Sequence, residues 1–206
     1  MIVVCRSVKG GSGTTITSAA LALLLATRYR GGGYVVDLNG DMSPALGVVE
    51  PMNNEAVEVN ATLQLLLRTQ RGGTFNWLAL TEELSALRGP VVIDAGTLPV
   101  GEELLRAATH NLLVIRPCYL ALRRASTSLH HETVACDGVI VVNEEGRALT
   151  PHDVSSVLKL PVRATLLVDS AIARAVDAGL LASRVPVALS TALASFVDEL
   201  SIVGAS

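Results

Sequence analysis

The sequence predicts an α/β protein, a doubly wound and mostly parallel sheet with helices on both faces. Three observations predict it. Short apolar runs of strand length alternate with longer helical segments along the chain, without an internal repeat, a low-complexity tract or a linker. The apolar runs, such as Tyr34 to Leu38 and Val91 to Ile93, do not alternate with polar residues, which marks strands buried on both faces. The first strand runs into a glycine-rich turn that opens directly onto a helix. In an open parallel sheet the ligand lies beyond the carboxyl ends of the strands, so the turns after strands carry the functional reading.

Composition agrees. A chain of 206 residues, 50% of them hydrophobic, is long enough for one domain over residues 1–206 with a sizeable core. A net charge of −3 gives no global basic field for nucleic acid. The three cysteines, Cys5, Cys118 and Cys136, have no CxxC spacing, and Cys5 and Cys136 read as small buried hydrophobes. The sequence starts with a strand rather than a basic leader, and its longest apolar run is shorter than a membrane span. A cytoplasmic protein without membrane insertion is expected.

The elements follow in order. Ile2-Val3-Val4-Cys5 is the first strand, Val8 to Thr15 the glycine-rich turn, and the Ala- and Leu-rich stretch after it a helix from about Thr14 to Tyr29, stopped by Gly31-Gly32-Gly33. Tyr34 to Leu38 is the second strand. Glu50 to Asn60, polar and acidic, reads as a loop, and Ala61 to Gln70, with Leu63, Leu65, Leu66 and Leu67, as a short helix ended by Arg71-Gly72-Gly73. Phe75, Trp77, Leu78 and Leu80 read as cover for a sheet edge, and Leu84 and Leu87 continue a helix that stops at Gly89-Pro90. Val91 to Gly96 is a strand that ends in aspartate. Strands over Asn111 to Arg116, Asp137 to Val142 and Val162 to Val168 then alternate with helices from Tyr119 to His130, Pro151 to Leu158, Ala171 to Ala178 and Leu189 to Leu200.

The turn Val8-Lys9-Gly10-Gly11-Ser12-Gly13-Thr14-Thr15 carries the chemistry. Strand, glycine-rich turn and helix together aim several backbone N–H groups and a helix N-terminus at one anionic group. Glycines let the chain pass close to a phosphate that a Cβ would hold off. The alternative is a tight βα turn with no ligand.

Lys9 to Thr15 resembles the deviant Walker A loop, Lys-Gly-Gly-x-Gly-Lys-Thr, of the ParA/MinD family of P-loop ATPases, and aligns with it without a gap. Thr14 stands where that loop has its Walker lysine. Asp37-Leu38-Asn39-Gly40-Asp41 is similar to the family's Asp-x-Asp-Pro-Gln segment, with Asn39 in place of the second aspartate and Asp41 in place of the glutamine. Alone it would pass for an Asn-Gly turn after a strand. Val91-Val92-Ile93-Asp94-Ala95-Gly96 resembles a Walker B strand. Gly138 to Asn143 resembles the strand whose terminal asparagine reads adenine, with Glu144 where an arginine often follows. Val168-Asp169 and Ala175 to Gly179 resemble the family's late strand, aspartate and helix. The likeness spans about residues 1–190, and its specificity lies in the order of the motifs.

The resemblance implies a P-loop NTPase fold that binds ATP or ADP with Mg2+. It places Gly10, Gly11, Ser12, Gly13, Thr14, Thr15 and Asn143 at the nucleotide and Thr15, Asp37 and Asp94 at the metal. It puts Lys9 and Asn39 at catalytic positions, Lys9 reaching across a homodimer to the partner's nucleotide. An amide at position 39 can bind a water but cannot take its proton. With Thr14, this implies weak or absent hydrolysis. The implied role is a nucleotide switch that positions a cargo through an adaptor or partner protein. The alternative is a nucleotide-independent scaffold for a pilus, division or partition assembly, as in the pilus-localising TadZ/CpaE-like branch. An ATP-dependent ligase of the same class would keep the Walker lysine, and the nitrogenase iron-protein branch would need cysteine ligands at a dimer axis.

Other features read as ordinary surface and packing. Arg106, Arg116, Arg123, Arg124, Arg163, Arg174 and Arg184 are scattered through an acidic chain, a solvated surface rather than a footprint for nonspecific DNA. His110, His130, His131 and His152 show no metal-ligand spacing. The segment from Leu189 onward has an apolar side but no lysine or arginine for anionic lipid, and carries Asp198 and Glu199, so it reads as a packing helix.

Overall fold

A computed structural model describes residues 1–50, 55–69 and 75–203. Its centre is an eight-stranded sheet: β1 (Ile2–Arg6), β2 (Gly33–Asp37), β3 (Ala56–Asn60), β4 (Leu63–Leu67), β5 (Val91–Gly96), β6 (His110–Ile115), β7 (Gly138–Asn143) and β8 (Val162–Leu167), in the order β3-β4-β2-β5-β1-β6-β7-β8. Every pairing is parallel except β3 with β4 at the edge.

Because successive side chains of a strand point to opposite faces, each continuous apolar run feeds two cores. Val3 and Cys5 face one side, with Val35, Leu65, Val92 and Leu112; α1 (Thr14–Ala26), α2 (Met42–Leu46), α7 (Ser170–Asp177) and α8 (Val187–Val203) cover it. Ile2, Val4, Val36 and Ile93 face the other side, under α3 (Trp77–Ser85) and α4 (Glu102–Ala107). Leu113, Ile115, Val139 and Val141 continue that side under α5 (Tyr119–His131) and α6 (Pro151–Leu158). The last helix packs as expected: Leu189, Leu193, Phe196, Val197 and Leu200 are buried. Cys5 is buried completely, which pushes its thiol up to about 12.

Three expected elements are corrected. The expected loop before Asn60 contains β3, and the expected helix from Ala61 contains β4; together they form an antiparallel hairpin. Leucine has good helix propensity, but packing overrides it. Leu63 and Leu65 enter one core, Leu66 enters the other, and Gln64 between them is exposed, a spacing of two. The Asn60 carboxamide fixes the turn by accepting from the N–H groups of Thr62 at 2.9 Å and Leu63 at 3.0 Å. Trp77 and Leu80 lie on a helix that covers a face of the sheet, not its edge, with the Asn76 side chain capping it at 3.1 Å from Ala79 N–H. Trp77 stacks on Phe75 with ring centroids 4.6 Å apart, a packing role. The expected stop at Arg71-Gly72-Gly73 lies outside the described residues.

Candidate phosphate-binding site

Three loops converge because three strands are neighbours. β5 lies between β1 and β2, and the register sets Asp94 level with Cys5 on one side and with Asp37 on the other. The turns after β1, β2 and β5 therefore emerge together from the carboxyl edge of the sheet, where α/β ligands bind.

The first loop is curled tightly. Ser7 donates its N–H to the Gly96 carbonyl at 2.6 Å, which ties the loop to the end of β5. The Ser12 hydroxyl donates to the Lys9 carbonyl at 2.6 Å. Gly11 and Gly13 have φ of 73° and 86°, in the left-handed region where a side chain is strained. A Cβ on Gly10 or Gly11 would meet no atom within 4 Å, so the loop's outer face is open to an approaching group. Gly13 caps α1 without a side chain, leaving the N–H groups of the first turn uncapped at that face. Thr14 at the helix start is buried and Thr15 half-buried.

The two aspartates are wholly buried and differ in what they do. Asp37 accepts from the backbone N–H groups of Asn39 and Gly40 with Oδ1 and of Met42 with Oδ2, all at 2.8 Å. Its carboxylate thus shapes the turn over residues 38–42 and starts α2. Asp94 is freer. Its Oδ1 accepts from Gly96 N–H at 3.1 Å, while its Oδ2 is buried with no hydrogen-bond partner. Burial, with the nearby charges of Asp37 and Asp41, raises its pKa from 3.8 to about 6 against the opposing pull of the Thr15 hydroxyl and Gly96 N–H.

Asn39 is exposed. Its amide donates to the Asp94 carbonyl at 3.3 Å, and its Nδ2 lies 2.4 Å from where a Cβ on Gly96 would sit. Gly96 has φ of 52°, so its backbone favours glycine, while the exposed Asn39 amide could move aside for a side chain. Lys9 is half-buried and, among the described residues, makes no ion pair.

A cleft and a smaller cavity border the glycines of the loop. A cleft of about 310 Å³ opens beside Gly11 and Gly13, walled by Ile16, Val142, Leu166 and Ile172. Val142 rather than Asn143 faces it, since neighbours on a strand point to opposite faces; Asn143 ends β7 half-buried, its carbonyl accepting from Val168 N–H at 2.8 Å. A smaller cavity of about 130 Å³ brings Lys9, Gly11 and Ser12 together with Arg116 and Arg147. A wider groove of about 760 Å³ runs along α5 and α6, but the loop donors and the buried carboxylates lie elsewhere.

The residues fit a nucleotide with Mg2+: a backbone cradle for phosphate, an apolar cleft beside it, and an orphaned carboxylate oxygen close to a threonine. Among the described residues there is no cluster of three or more acidic, His or Cys side chains for a protein-only metal cage. Mg2+ bound through one or two protein oxygens, phosphates and waters needs none.

No protein-family model and no curated protein matches the sequence. Solved structures do match the fold. The septum site-determining protein MinD of Pyrococcus horikoshii, complexed with Mg-ADP, aligns with TM-score 0.77 at 18% identity over 97% of this chain and 96% of its own. A ParA family ATPase from Chlorobium tepidum aligns with TM-score 0.76 at 15% identity over 96% of this chain and 98% of its own. The MinC:MinD cell division complex of Aquifex aeolicus contains a chain that aligns with TM-score 0.76 at 19% identity, over 97% of this chain and 94% of that one. The chain has the α/β fold of the ParA and MinD ATPases.

Proposed function

We propose that the chain is a member of the ParA/MinD family over residues 1–206, a nucleotide-binding dimeric switch that positions a cargo and hydrolyses ATP weakly or not at all. The observation that carries the reading is the pairing of an open backbone cradle, Gly10 to Thr15, with the buried and unpartnered Oδ2 of Asp94 beside Thr15. Backbone donors and the start of α1 would hold the phosphates. Thr15 and Asp94 would hold Mg2+, which when bound neutralises phosphate charge, and Asp37 would shape the turn next to it. The cleft beside Val142 suits a base, with the Asn143 amide at the end of that strand.

The MinD with Mg-ADP and the MinC:MinD complex support a nucleotide and a protein partner for this fold. The dimer, with Lys9 at its interface, rests on the loop resemblance. Among the described residues no helix is long and apolar enough to cross a membrane. Thr14 and Asn39 favour a second reading, a scaffold that kept the fold and lost the nucleotide.

One experiment separates them: titration of ATP and ADP, with and without Mg2+, followed by calorimetry and by light scattering. The switch reading expects heat of binding and a nucleotide-dependent change of mass. Neither signal at saturating nucleotide, with binding recovered in Thr14→Lys, leaves the scaffold.

A further inference from the structure

We propose that Arg116 supplies, from a different strand, the phosphate-facing positive charge that Thr14 does not, and that Glu144 holds it until a phosphate arrives. The proposal rests on the nucleotide reading above and names a residue that the loop motif does not contain.

Position is the first ground. β6 neighbours β1, and Arg6 at the end of β1 is level with Leu113. Arg116 therefore emerges three residues further on, roughly 10 Å along the strand direction, at the height of the loop. It borders both cavities beside the cradle, the small one with Lys9, Gly11 and Ser12 and the apolar cleft with Gly11 and Gly13.

Its hydrogen bonding is the second ground. One guanidinium nitrogen pairs with the Glu144 carboxylate at 2.8 Å, while Nε is buried with no partner. A guanidinium carries a rigid fork of donors matched to phosphate, and a buried N–H without an acceptor is uncommon in a settled structure. Glu144 also pairs with Arg147 at 2.6 Å, so it keeps a cation if Arg116 turns to the loop. Both members of the Arg116 pair are about one-third exposed, at 37% and 34%, which keeps the exchange cheap. A structural arginine would have its donors filled on its own side of the sheet.

The test uses the whole chain with Mg-ATP and, separately, inorganic pyrophosphate, titrated by calorimetry into the native protein and into Arg116→Gln, Arg116→Lys, Thr14→Lys and the double variant Arg116→Gln, Thr14→Lys. Losing a charge-assisted contact weakens binding by about ten- to a hundredfold, and both probes should show it, because the contact is to phosphate. Arg116→Lys keeps a cation and should fall between. Thr14→Lys should restore binding in the Arg116→Gln background, which a purely structural loss would not allow. Glu144→Gln should tighten pyrophosphate about two- to fivefold, the worth of one exposed ion pair. Thermal unfolding of each variant checks that it is folded.

Equal affinity of native and Arg116→Gln overturns the proposal and leaves the nucleotide reading intact. Weakening that Thr14→Lys does not repair also overturns it, making Arg116 a support for the loop. A native chain that binds neither probe overturns both readings.

Discussion

Asp94→Asn should stabilise the metal-free protein at neutral pH, although it removes a proposed magnesium ligand. Asp94 is fully buried, and its pKa is raised from 3.8 to about 6 by burial first and by Asp37 and Asp41 second. At about 1.4 kcal/mol per unit, the ionised carboxylate costs the folded state on the order of 3 kcal/mol at pH 7.5. The folded state binds the proton more tightly than the unfolded one, so the cost is complete above pH 6 and is relieved as pH falls towards 4. The new amide N–H2 can be left unpaired beside Thr15, an offset of about 1–3 kcal/mol that does not vary with pH. The robust quantity is therefore the pH dependence of the difference between variant and native protein. Urea unfolding in a chelator at pH 7.5, 6 and 4.5 should show the variant's advantage shrinking by about 2 kcal/mol across the series, most of it below pH 6. A difference that is flat with pH would refute the reasoning, because Asp94 would then carry no strained charge in the folded state.

Three further outcomes are expected. The double variant Thr14→Lys, Asn39→Asp should release phosphate at least about a hundredfold faster than the native chain, since one missing transition-state donor alone costs about that much; equal rates in a steady-state assay would mean that the two positions are catalytically silent. Lys9→Ala should shift the nucleotide-dependent monomer–dimer balance towards monomer in light scattering, and an unchanged balance would return Lys9 to solvent. Glu132→Gln should cost about 3–5 kcal/mol in urea unfolding at pH 7, because Arg6 donates to Glu132 at 2.6 and 2.5 Å from a buried position and would lose its counter-charge. Burial alone would raise the Glu132 pKa, but Arg6 outweighs it and holds it below the ordinary value. This difference should therefore fade as acid protonates the native pair.

The parallel sheet was legible because its strands are continuous apolar runs bounded by glycine, proline or aspartate, and such runs have few other homes. The hairpin after residue 55 was not, because four leucines within five positions satisfy either period and only the neighbouring strand decides. Within the site, the loop and both aspartates were readable from strand-then-turn spacing. What spacing could not reveal was their division of labour: Asp37 is consumed by three backbone N–H groups, and Asp94 keeps a bare oxygen. Arg116 passed for one more surface arginine. The role proposed for it rests on its place directly after an apolar strand, and the strand order that sets it beside the loop exists only in the fold.

The departures at Thr14 and Asn39 bear unequally on holding a nucleotide and on splitting it. Among the described residues none of the groups acting on Asp94 is a cation, so in the metal-free state the cradle has two buried acids nearby and, with Thr14 where a Walker lysine would stand, Lys9 as the only cation of its loop. Backbone N–H groups contact the phosphates in ground state and transition state alike, and uniform contacts of that kind contribute affinity without lowering the barrier. A Walker lysine and a water-directing carboxylate act instead where charge develops during transfer. On the proposed reading, a chain that keeps the first kind of group and lacks the second would hold a nucleotide better than it splits it. If a cation from elsewhere, Arg116 in cis or Lys9 from a partner, completes the cradle, the switch proposed above would have its state set by nucleotide occupancy rather than by turnover.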